Sequence, residues 1–239
     1  MGVLLKKKPS MFEIYNDIDG DVVNFFRVLR EHPDDLIRAI QLTPFARAEQ
    51  ITSFDHTDGL SDLERARRLY VRAWQSYGGP RTQWHTGWRY QVSNTRHKTH
   101  MSDWNQVDHL WPIVARLKNV QIEQDDALRM IERFDRPETL FYCDPPYEAA
   151  SRSIRWREKA YTFEIDVDYH RELARRLSEI EGMAVVSGKP SPLYEELYGG
   201  WKCLQRTVPT DFQSSTVECL WISPNAVDRQ HQMSMDLDR

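Results

Sequence analysis

The chain has 239 residues, of which 40% are hydrophobic and 11% aromatic, a formal net charge of -4 and a mean hydropathy of -0.67. This length predicts one or two domains with a sizeable core. No apolar run approaches the ~18 residues of a membrane helix, so we expect no membrane association. The cysteines Cys143, Cys203 and Cys219 form no C-x-x-C pair, which disfavours a disulfide framework or a zinc site and favours a cytoplasmic location.

The charge is distributed unevenly. The segment from Arg65 to Ser102 contains no Asp or Glu and holds eight of the chain's 32 Lys and Arg residues. A basic segment inside an otherwise acidic chain is typical of a surface that binds a polyanion. The sequence therefore favours nucleic acid as a partner for this segment.

Hydrophobic spacing predicts the secondary structure in chain order. In the first half it predicts a strand at 11–15, helices at 22–30 and 34–40, an irregular stretch to Leu60, and helices at 61–77 and 107–118. The helix at 61–77 begins with the capping box Ser61-Asp62-Leu63-Glu64. In the second half it predicts strands at 120–123, 139–143 and 183–187, helices at 127–134 and 168–180, and a closing hairpin of 201–208 with 216–223.

Strands that alternate with helices indicate an α/β fold with a largely parallel sheet. The helical stretch at about 43–118 interrupts this alternation. We therefore predict one α/β domain made of residues 1–42 and 119–239, with residues 43–118 as a helical insert.

The strongest chemical signal is Asp144-Pro145-Pro146-Tyr147, which directly follows the predicted buried strand 139–143. The carboxyl end of such a strand is where ligands bind in open α/β sheets. A strand that stops at two prolines beside an exposed Asp is the alternative interpretation. Because this tetrapeptide is rare by chance at average composition, the sequence favours the functional interpretation.

The tetrapeptide suits chemistry on the exocyclic amine of a nucleobase. Such an amine is a poor nucleophile because its lone pair is delocalised into the ring. The Asp144 carboxylate and the Pro145 carbonyl each accept one N–H in this hypothesis, which favours a pyramidal nitrogen and stabilises its developing positive charge. Pro146 stiffens the turn, and Tyr147 offers a flat face for an extruded base.

Asp-Pro-Pro-Tyr at this position resembles the catalytic motif of amino-methylating DNA methyltransferases. The chain is similar to the Dam-type adenine-N6 family in its phage or prophage form, and the matching segments follow the family's order over most of the chain. They are Tyr15-Asn16-Asp17-Ile18-Asp19, Thr43-Pro44-Phe45, Glu64 to Arg68, Trp74 to Gly79, Ser102 to Asn105, Gln124 to Leu128, Tyr161-Thr162-Phe163, Asp168-Tyr169-His170, Val186-Ser187-Gly188, Tyr194 to Tyr198 and Glu218 to Ile222.

The resemblance implies a Rossmann-like sheet that binds S-adenosylmethionine and a helical DNA-recognition insert. It implies that Asp17 accepts from the ribose hydroxyls of the cofactor, that Ile18 packs on its adenine ring and that Asp126 accepts from its adenine amine. Asp144 belongs to this cofactor-binding set as well as to the catalytic set. A helix N-cap is the alternative for Asp17 and Asp126, and a place in the buried core is the alternative for Ile18. Asp125 is an equally acidic neighbour, and Asp126 is favoured because Asp-Ala-Leu is the better match to the family.

The family's first strand ends in a glycine-rich loop of the form Phe-x-Gly-x-Gly, whose backbone must approach the cofactor closely. The sequence begins with Met1-Gly2-Val3, which resembles the helix just after that loop. Either the true start lies upstream or the product is truncated. A truncated product is expected to lack a central strand and part of the cofactor pocket.

The basic segment is the predicted DNA reader, because cations neutralise phosphates, arginines read guanine edges and aromatic rings stack on bases. A solvated loop anchored by tryptophans is the alternative. We expect double-stranded DNA as the partner, no obligate protein partner and no metal site. The residues assigned to DNA are Arg81, Trp84, Arg89, Arg96 and Lys98.

The sequence therefore predicts a site-specific methyltransferase that acts on adenine N6 in duplex DNA. One alternative is a DNA-binding remnant of such an enzyme without activity. Another is methylation of a different amine, such as cytosine N4, RNA adenine or a glutamine side chain. Those enzymes more often carry Ser or Asn at the first motif position, whereas this chain has Asp144.

Overall fold

The computed structural model describes residues 1–55, 58–77, 86–90, 100–152, 161–209 and 215–237. The chain divides into two compact units, Met1–Asp126 and Ala127–Arg239. Within the described residues, no helix combines the length and the apolar character that crossing a bilayer requires.

The first unit is mainly helical, with a small parallel sheet. Its two strands pair in parallel from Ile14↔Gln121 to Asn16↔Glu123. The elements are α1 Gly2–Lys6, β1 Ile14–Asn16, α2 Gly20–Glu31, α3 Pro33–Leu42, α4 Arg47–Thr52, α5 Asp62–Gln75, α6 His100–Trp104, α7 Leu110–Leu117 and β2 Gln121–Glu123. The apolar stripes of α2, α3, α5 and α7 supply most of the core, which includes Leu29, Leu36 and Leu117.

Half of the predicted capping box forms at the start of α5. The Ser61 hydroxyl accepts from the Glu64 backbone N–H at 3.2 Å, as the sequence predicted. The Glu64 carboxylate instead binds Arg67 and Arg68, each at 2.7 Å. The two guanidinium groups are positively charged partners for both carboxylate oxygens, whereas the cap's backbone N–H offers a single neutral donor.

The arginines of α5 are paired within the unit, so this part of the basic segment is neutralised. Acidic residues of α2, α4 and α5 face them, and the side chain of Arg72 is almost fully buried. The basic segment of the sequence therefore does not act as one continuous cationic surface. The pairs are Arg65–Asp21 at 2.7 Å, Arg67–Glu49 at 2.8 Å, Arg68–Glu64 at 2.7 Å and Arg72–Asp21 at 3.2 Å.

The second unit contains a four-stranded mixed sheet with helices. Its elements are α8 Ala127–Phe134, β3 Leu140–Cys143, α9 Val167–Glu179, β4 Met183–Gly188, α10 Pro192–Tyr198, β5 Lys202–Pro209, β6 Ser215–Ile222 and α11 Pro224–Leu237. The strand order is β3-β4-β6-β5. Strand β3 runs parallel to β4, and the predicted closing hairpin forms as the antiparallel pair β5 and β6. A short 3-10 turn spans Ala149–Ser151.

Strand β3 differs from the buried strand that the sequence predicted. Phe141 and Cys143 pack against the core, whereas Leu140 is 54% exposed and Tyr142 40% exposed. Exposed and half-buried residues alternate along β3, so only one of its two faces is covered within the described residues. An apolar residue at every position indicates a strand but does not show how many of its faces are covered.

The mixed α/β class is confirmed, while some boundaries differ. The first strand begins at Ile14, so Met11 and Phe12 lie outside it and are exposed. Helix α4 forms within the stretch that was predicted to be irregular. The Rossmann-like sheet and the division into an α/β domain with an insert at 43–118 stay predictions.

A buried ion cluster fastens the start of the first unit to α7. Glu13 is 6% exposed, and Arg116 Nη2 donates to its Oε1 at 2.7 Å and to the Leu4 carbonyl at 3.1 Å. Lys7 also donates to Glu13. The bond from Arg116, with that from Lys7, outweighs the effect of burial and lowers the pKa of Glu13 from 4.5 to about 2.

We expect Glu13→Gln to lower the free energy of unfolding at pH 7 by about 3 kcal/mol, because Arg116 loses its buried partner. The pKa of Glu13 is depressed in the folded state, so its contribution is complete above about pH 4.5. This contribution to the free energy of unfolding is lost as the pH falls toward about 2. The difference in the free energy of unfolding between variant and wild type should therefore shrink over that range. Urea unfolding at a series of pH values measures this. The control Glu31→Gln removes an exposed carboxylate that pairs with Arg27 and Arg30, and it should cost under about 1 kcal/mol. Equal losses in the two variants would contradict the prediction.

Candidate active site

The predicted catalytic residues form the turn that follows β3. Proline cannot donate to a sheet ladder, so Pro145 and Pro146 end the strand after Cys143. The Asp144 side chain is exposed at the carboxyl end of the strand, and the residues from Pro145 to Tyr147 are half-buried. The turn thus presents a carboxylate beside a stiff, donor-free backbone.

Ser187 orients the carboxylate of Asp144. In the parallel register Cys143 lies opposite Val186, so Asp144, which follows β3, lies beside Ser187, which is still within β4. The Ser187 hydroxyl donates to Asp144 Oδ1 at 2.8 Å and lies 3.3 Å from the Cys143 carbonyl. This bond restricts the carboxylate to one orientation.

Tyr147 is held through its hydroxyl group. Its O–H donates to Glu218 Oε2 at 2.7 Å, and Lys189 Nζ lies 5.8 Å from the centre of its ring. Burial, followed by the bond to the Glu218 carboxylate, raises the pKa of Tyr147 well above its usual value of 10. The phenol therefore stays protonated at neutral pH and remains a hydrogen-bond donor.

Arg152 fastens the other end of the turn. Its Nε donates to the Tyr147 carbonyl at 2.6 Å, and its two terminal nitrogens bind both oxygens of Glu164 at 2.8 and 2.7 Å. The guanidinium also lies 4.8 Å from the centre of the Tyr161 ring. One nearly buried arginine thus joins the turn to the chain on the far side of residues 153–160.

Cys143 directly precedes Asp144, the first of the predicted catalytic residues. Burial, reinforced by the nearby Asp144 charge, raises the pKa of its thiol to about 12. A protonated thiol is a poor nucleophile, so Cys143 acts as an apolar residue of the strand and not as a reactive group.

The predicted cofactor residues Asp17 and Ile18 follow β1 in the first unit. Asp17 accepts from the Tyr15 hydroxyl at 2.8 Å and from the Asp19 backbone N–H at 3.0 Å. The N-cap of α2 is Asp19, which accepts from Asp21 N–H at 2.9 Å, so the cap alternative for Asp17 is wrong. Ile18 is 46% exposed, which rules out a place in the buried core.

Asp126 follows β2 at the same edge of the small sheet. The side chain of Asn16 donates to the Asp125 carbonyl and accepts from the Asp125 N–H, both at 2.9 Å. These two hydrogen bonds hold the segments after β1 and β2 together, so Asp17, Ile18 and Asp126 lie at one edge of the small sheet. Asp126 is half-buried there, and its backbone N–H donates to Asp125 Oδ1 at 2.8 Å.

Arg89 is the one predicted DNA-binding residue within the described part of the chain. Its backbone N–H donates to the Gln75 carbonyl at 2.8 Å, beside an isolated antiparallel bridge between Ser76 and Trp88. Its guanidinium lies 5.9 Å from the Tyr77 ring centre and is partly exposed. The other predicted DNA-binding residues, Arg81, Trp84, Arg96 and Lys98, lie outside the described residues.

Sequence reasoning assigned no role to the side chains that hold the turn. Ser187 and Glu218 occurred only within segments of family resemblance, and Arg152 and Glu164 showed no pattern at all. Their contacts depend on strand register and on a bond across twelve positions of the chain. Local periodicity does not encode such distant pairings.

A mixed α/β chain with an Asp-Pro-Pro-Tyr turn at a strand end is typical of enzymes that methylate an exocyclic amine. The family model described as D12 class N6 adenine-specific DNA methyltransferase matches residues 3–206, and the chain therefore belongs to that family. The Dam-type resemblance is thus confirmed, and the family's substrate is adenine N6 in DNA. A search of the curated proteins finds no match to the chain.

We expect Arg152→Lys to loosen the segment after the turn, although the charge is kept. A lysine cannot donate to the Tyr147 carbonyl and to both Glu164 oxygens at once. Backbone amides from Glu148 to Arg152 should exchange with deuterium about tenfold faster, which mass spectrometry of peptides measures. The control Arg171→Lys alters an exposed pair with Glu196 and should leave this segment unchanged. Unaltered exchange in Arg152→Lys would show that Arg152 does not hold the turn.

Proposed function

We propose that this chain transfers a methyl group from S-adenosylmethionine to the N6 amine of adenine in duplex DNA. The observation that carries the proposal is the Asp144–Tyr147 turn, with its oriented carboxylate at the end of β3, in a chain of the adenine-N6 family. The target adenine is taken out of the duplex, because its amine is inaccessible to a carboxylate inside the base stack.

Asp144 and Pro145 hold the amine of the target base. Ser187 engages Oδ1 of Asp144, which leaves Oδ2, among the described residues, as the acceptor for one N–H. The Pro145 carbonyl accepts the other N–H. Two fixed acceptors favour a pyramidal nitrogen and stabilise the positive charge that develops on it, and the extra proton leaves after transfer.

The residues at the edge of the small sheet fit S-adenosylmethionine. When bound, this cofactor supplies a methyl group on a positively charged sulfur. Asp17 would accept from its ribose hydroxyls, and the exposed apolar side chain of Ile18 would cover its adenine ring. Asp126 would accept from its adenine amine, and Asp144 remains a proposed cofactor contact as well as a proposed catalytic residue. An exposed isoleucine beside two half-buried carboxylates suits a ligand with an apolar ring and polar edges.

The basic segment binds the DNA in this proposal. The α5 arginines pair with acids, so we assign phosphate and base contacts to residues 81–98, beyond that helix. Arg89 supports this assignment because it is partly exposed and has no acidic partner among the described residues. The set remains Arg81, Trp84, Arg89, Arg96 and Lys98.

We expect Asp144→Ala to lower methyl transfer at least about 10²-fold while DNA affinity stays nearly unchanged, because it removes an acceptor of the transition state. Labelled S-adenosylmethionine with unmethylated genomic DNA measures transfer, and mass spectrometry of the nucleosides identifies the methylated base. The control Asp228→Ala removes an exposed acid of α11 and should transfer like wild type. A wild-type level of transfer in Asp144→Ala would contradict the proposal.

The same assay separates the alternatives. Label recovered as N4-methylcytosine, or in RNA alone, would identify another amine as the substrate. DNA binding without any label in the wild-type protein would indicate a DNA-binding protein of this family that lacks activity.

We expect Arg89→Ala with Arg96→Ala to weaken DNA binding, and more so at low salt than at high salt. Each lost phosphate contact should reduce the slope of log affinity against log salt by about 0.9. Fluorescence anisotropy with a labelled duplex at several salt concentrations measures the slope. The control Arg38→Ala removes an exposed cation of α3 and should leave the slope unchanged. An unchanged slope in the double variant would remove these arginines from the DNA interface.

A further inference from the structure

Glu218 lies beside the turn without taking part in the amine chemistry described above. It is on β6, next to Cys219, which pairs with Gly188 at the end of β4. This register brings Glu218 to the edge of the sheet where β4 ends and the Asp144–Tyr147 turn begins. Its Oε2 accepts from the Tyr147 hydroxyl at 2.7 Å.

A bond from a neutral phenol to a carboxylate is charge-assisted and stronger than one between two neutral groups. The shifted pKa of Tyr147 keeps the phenol a donor throughout the neutral range. Glu218 is therefore suited to hold the ring of Tyr147 in one rotational position.

The other contacts of Tyr147 leave the ring dependent on this bond. Arg152 holds the backbone carbonyl of Tyr147, which does not fix rotation about the side-chain bonds. Lys189 lies over one face of the ring, with Nζ 5.8 Å from its centre. The opposite face is the one that an extruded base would stack on.

We propose that Glu218 is a positioning residue, which fixes the plane of the Tyr147 ring on which the target adenine stacks. This inference rests on the proposed function. Glu218 touches neither the base nor the methyl donor and acts through the Tyr147 hydroxyl. Removal of the Glu218 carboxylate should weaken stacking of the extruded base on the Tyr147 ring, with little effect on the affinity for duplex DNA.

The test compares Glu218→Ala, Glu218→Gln, Tyr147→Phe and the double variant Glu218→Ala with Tyr147→Phe. The sequence that the wild-type enzyme modifies is first read from methylated genomic DNA. A duplex of that sequence with 2-aminopurine in place of the target adenine then reports extrusion by its fluorescence. Steady-state transfer to the unlabelled duplex gives kcat and KM, and anisotropy gives DNA affinity.

We expect Glu218→Ala and Tyr147→Phe each to lower kcat about tenfold, with KM for DNA and DNA affinity within about threefold of wild type. The 2-aminopurine signal should fall in both. The double variant should be no worse than either single variant, because both changes remove the same bond. Glu218→Gln keeps an acceptor oxygen and should restore most of kcat. The control Glu196→Ala removes an exposed acid of α10 and should behave like wild type.

The outcomes separate the inference from the proposed function. No transfer by the wild-type protein overturns the proposed function and this inference with it. Wild-type transfer with an unaffected Glu218→Ala, or additive losses in the double variant, overturns only the role of Glu218. Should Glu218→Ala fail to fold, Tyr147→Phe removes the same bond from the other side. Wild-type kcat and fluorescence in that variant overturn the role equally.

Discussion

The Asp144–Tyr147 turn contains two consecutive prolines, so side chains and not backbone N–H groups have to hold it in place. Ser187 donates to the Asp144 carboxylate, Arg152 donates to the Tyr147 carbonyl, and Glu218 accepts from the Tyr147 hydroxyl. The prolines restrict the backbone, and these three bonds orient the groups that it carries. A preorganised acceptor needs both the restricted backbone and the oriented side chain. A mobile carboxylate would have to be reoriented as the positive charge develops, and this reorientation would reduce how much it stabilises the transition state.

The topology of the second unit explains why these partners meet. Parallel β3 and β4 end at one edge of the sheet, which places Ser187 and Lys189 beside the turn. Strand β6 runs antiparallel to β4, so the first half of β6, which contains Glu218, lies at the edge where β4 ends. Below the sheet, Tyr194 stacks on Trp221 at 4.9 Å, and its hydroxyl lies 3.3 Å from Nδ1 of the buried His170. This packed aromatic layer gives the strands a rigid base.

The fold was largely predictable where one physical signal dominates. The helices α2, α8 and α9, the strands β3 and β4 and the final hairpin follow from apolar spacing and turn residues. Burial of β3 was not predictable, because a sequence shows which residues are apolar and not which neighbours cover them. Glu64 shows the same limit, since the capping box was correct for Ser61 but Arg67 and Arg68 took the carboxylate.

The sequence predicted the motif of the candidate site but not the side chains that hold that motif in place. Asp144 to Tyr147 is contiguous and rare, so sequence alone identifies it, whereas Ser187, Arg152 and Glu218 need strand register to be found. Charge counting was the weakest guide, because the four arginines of α5 that open the acid-free segment pair with acids of α2, α4 and α5. Composition gives a segment's charge in isolation, and the fold decides how much of that charge is left for a partner. An arginine of this segment can therefore be assigned to DNA only after its acidic neighbours in three dimensions are known.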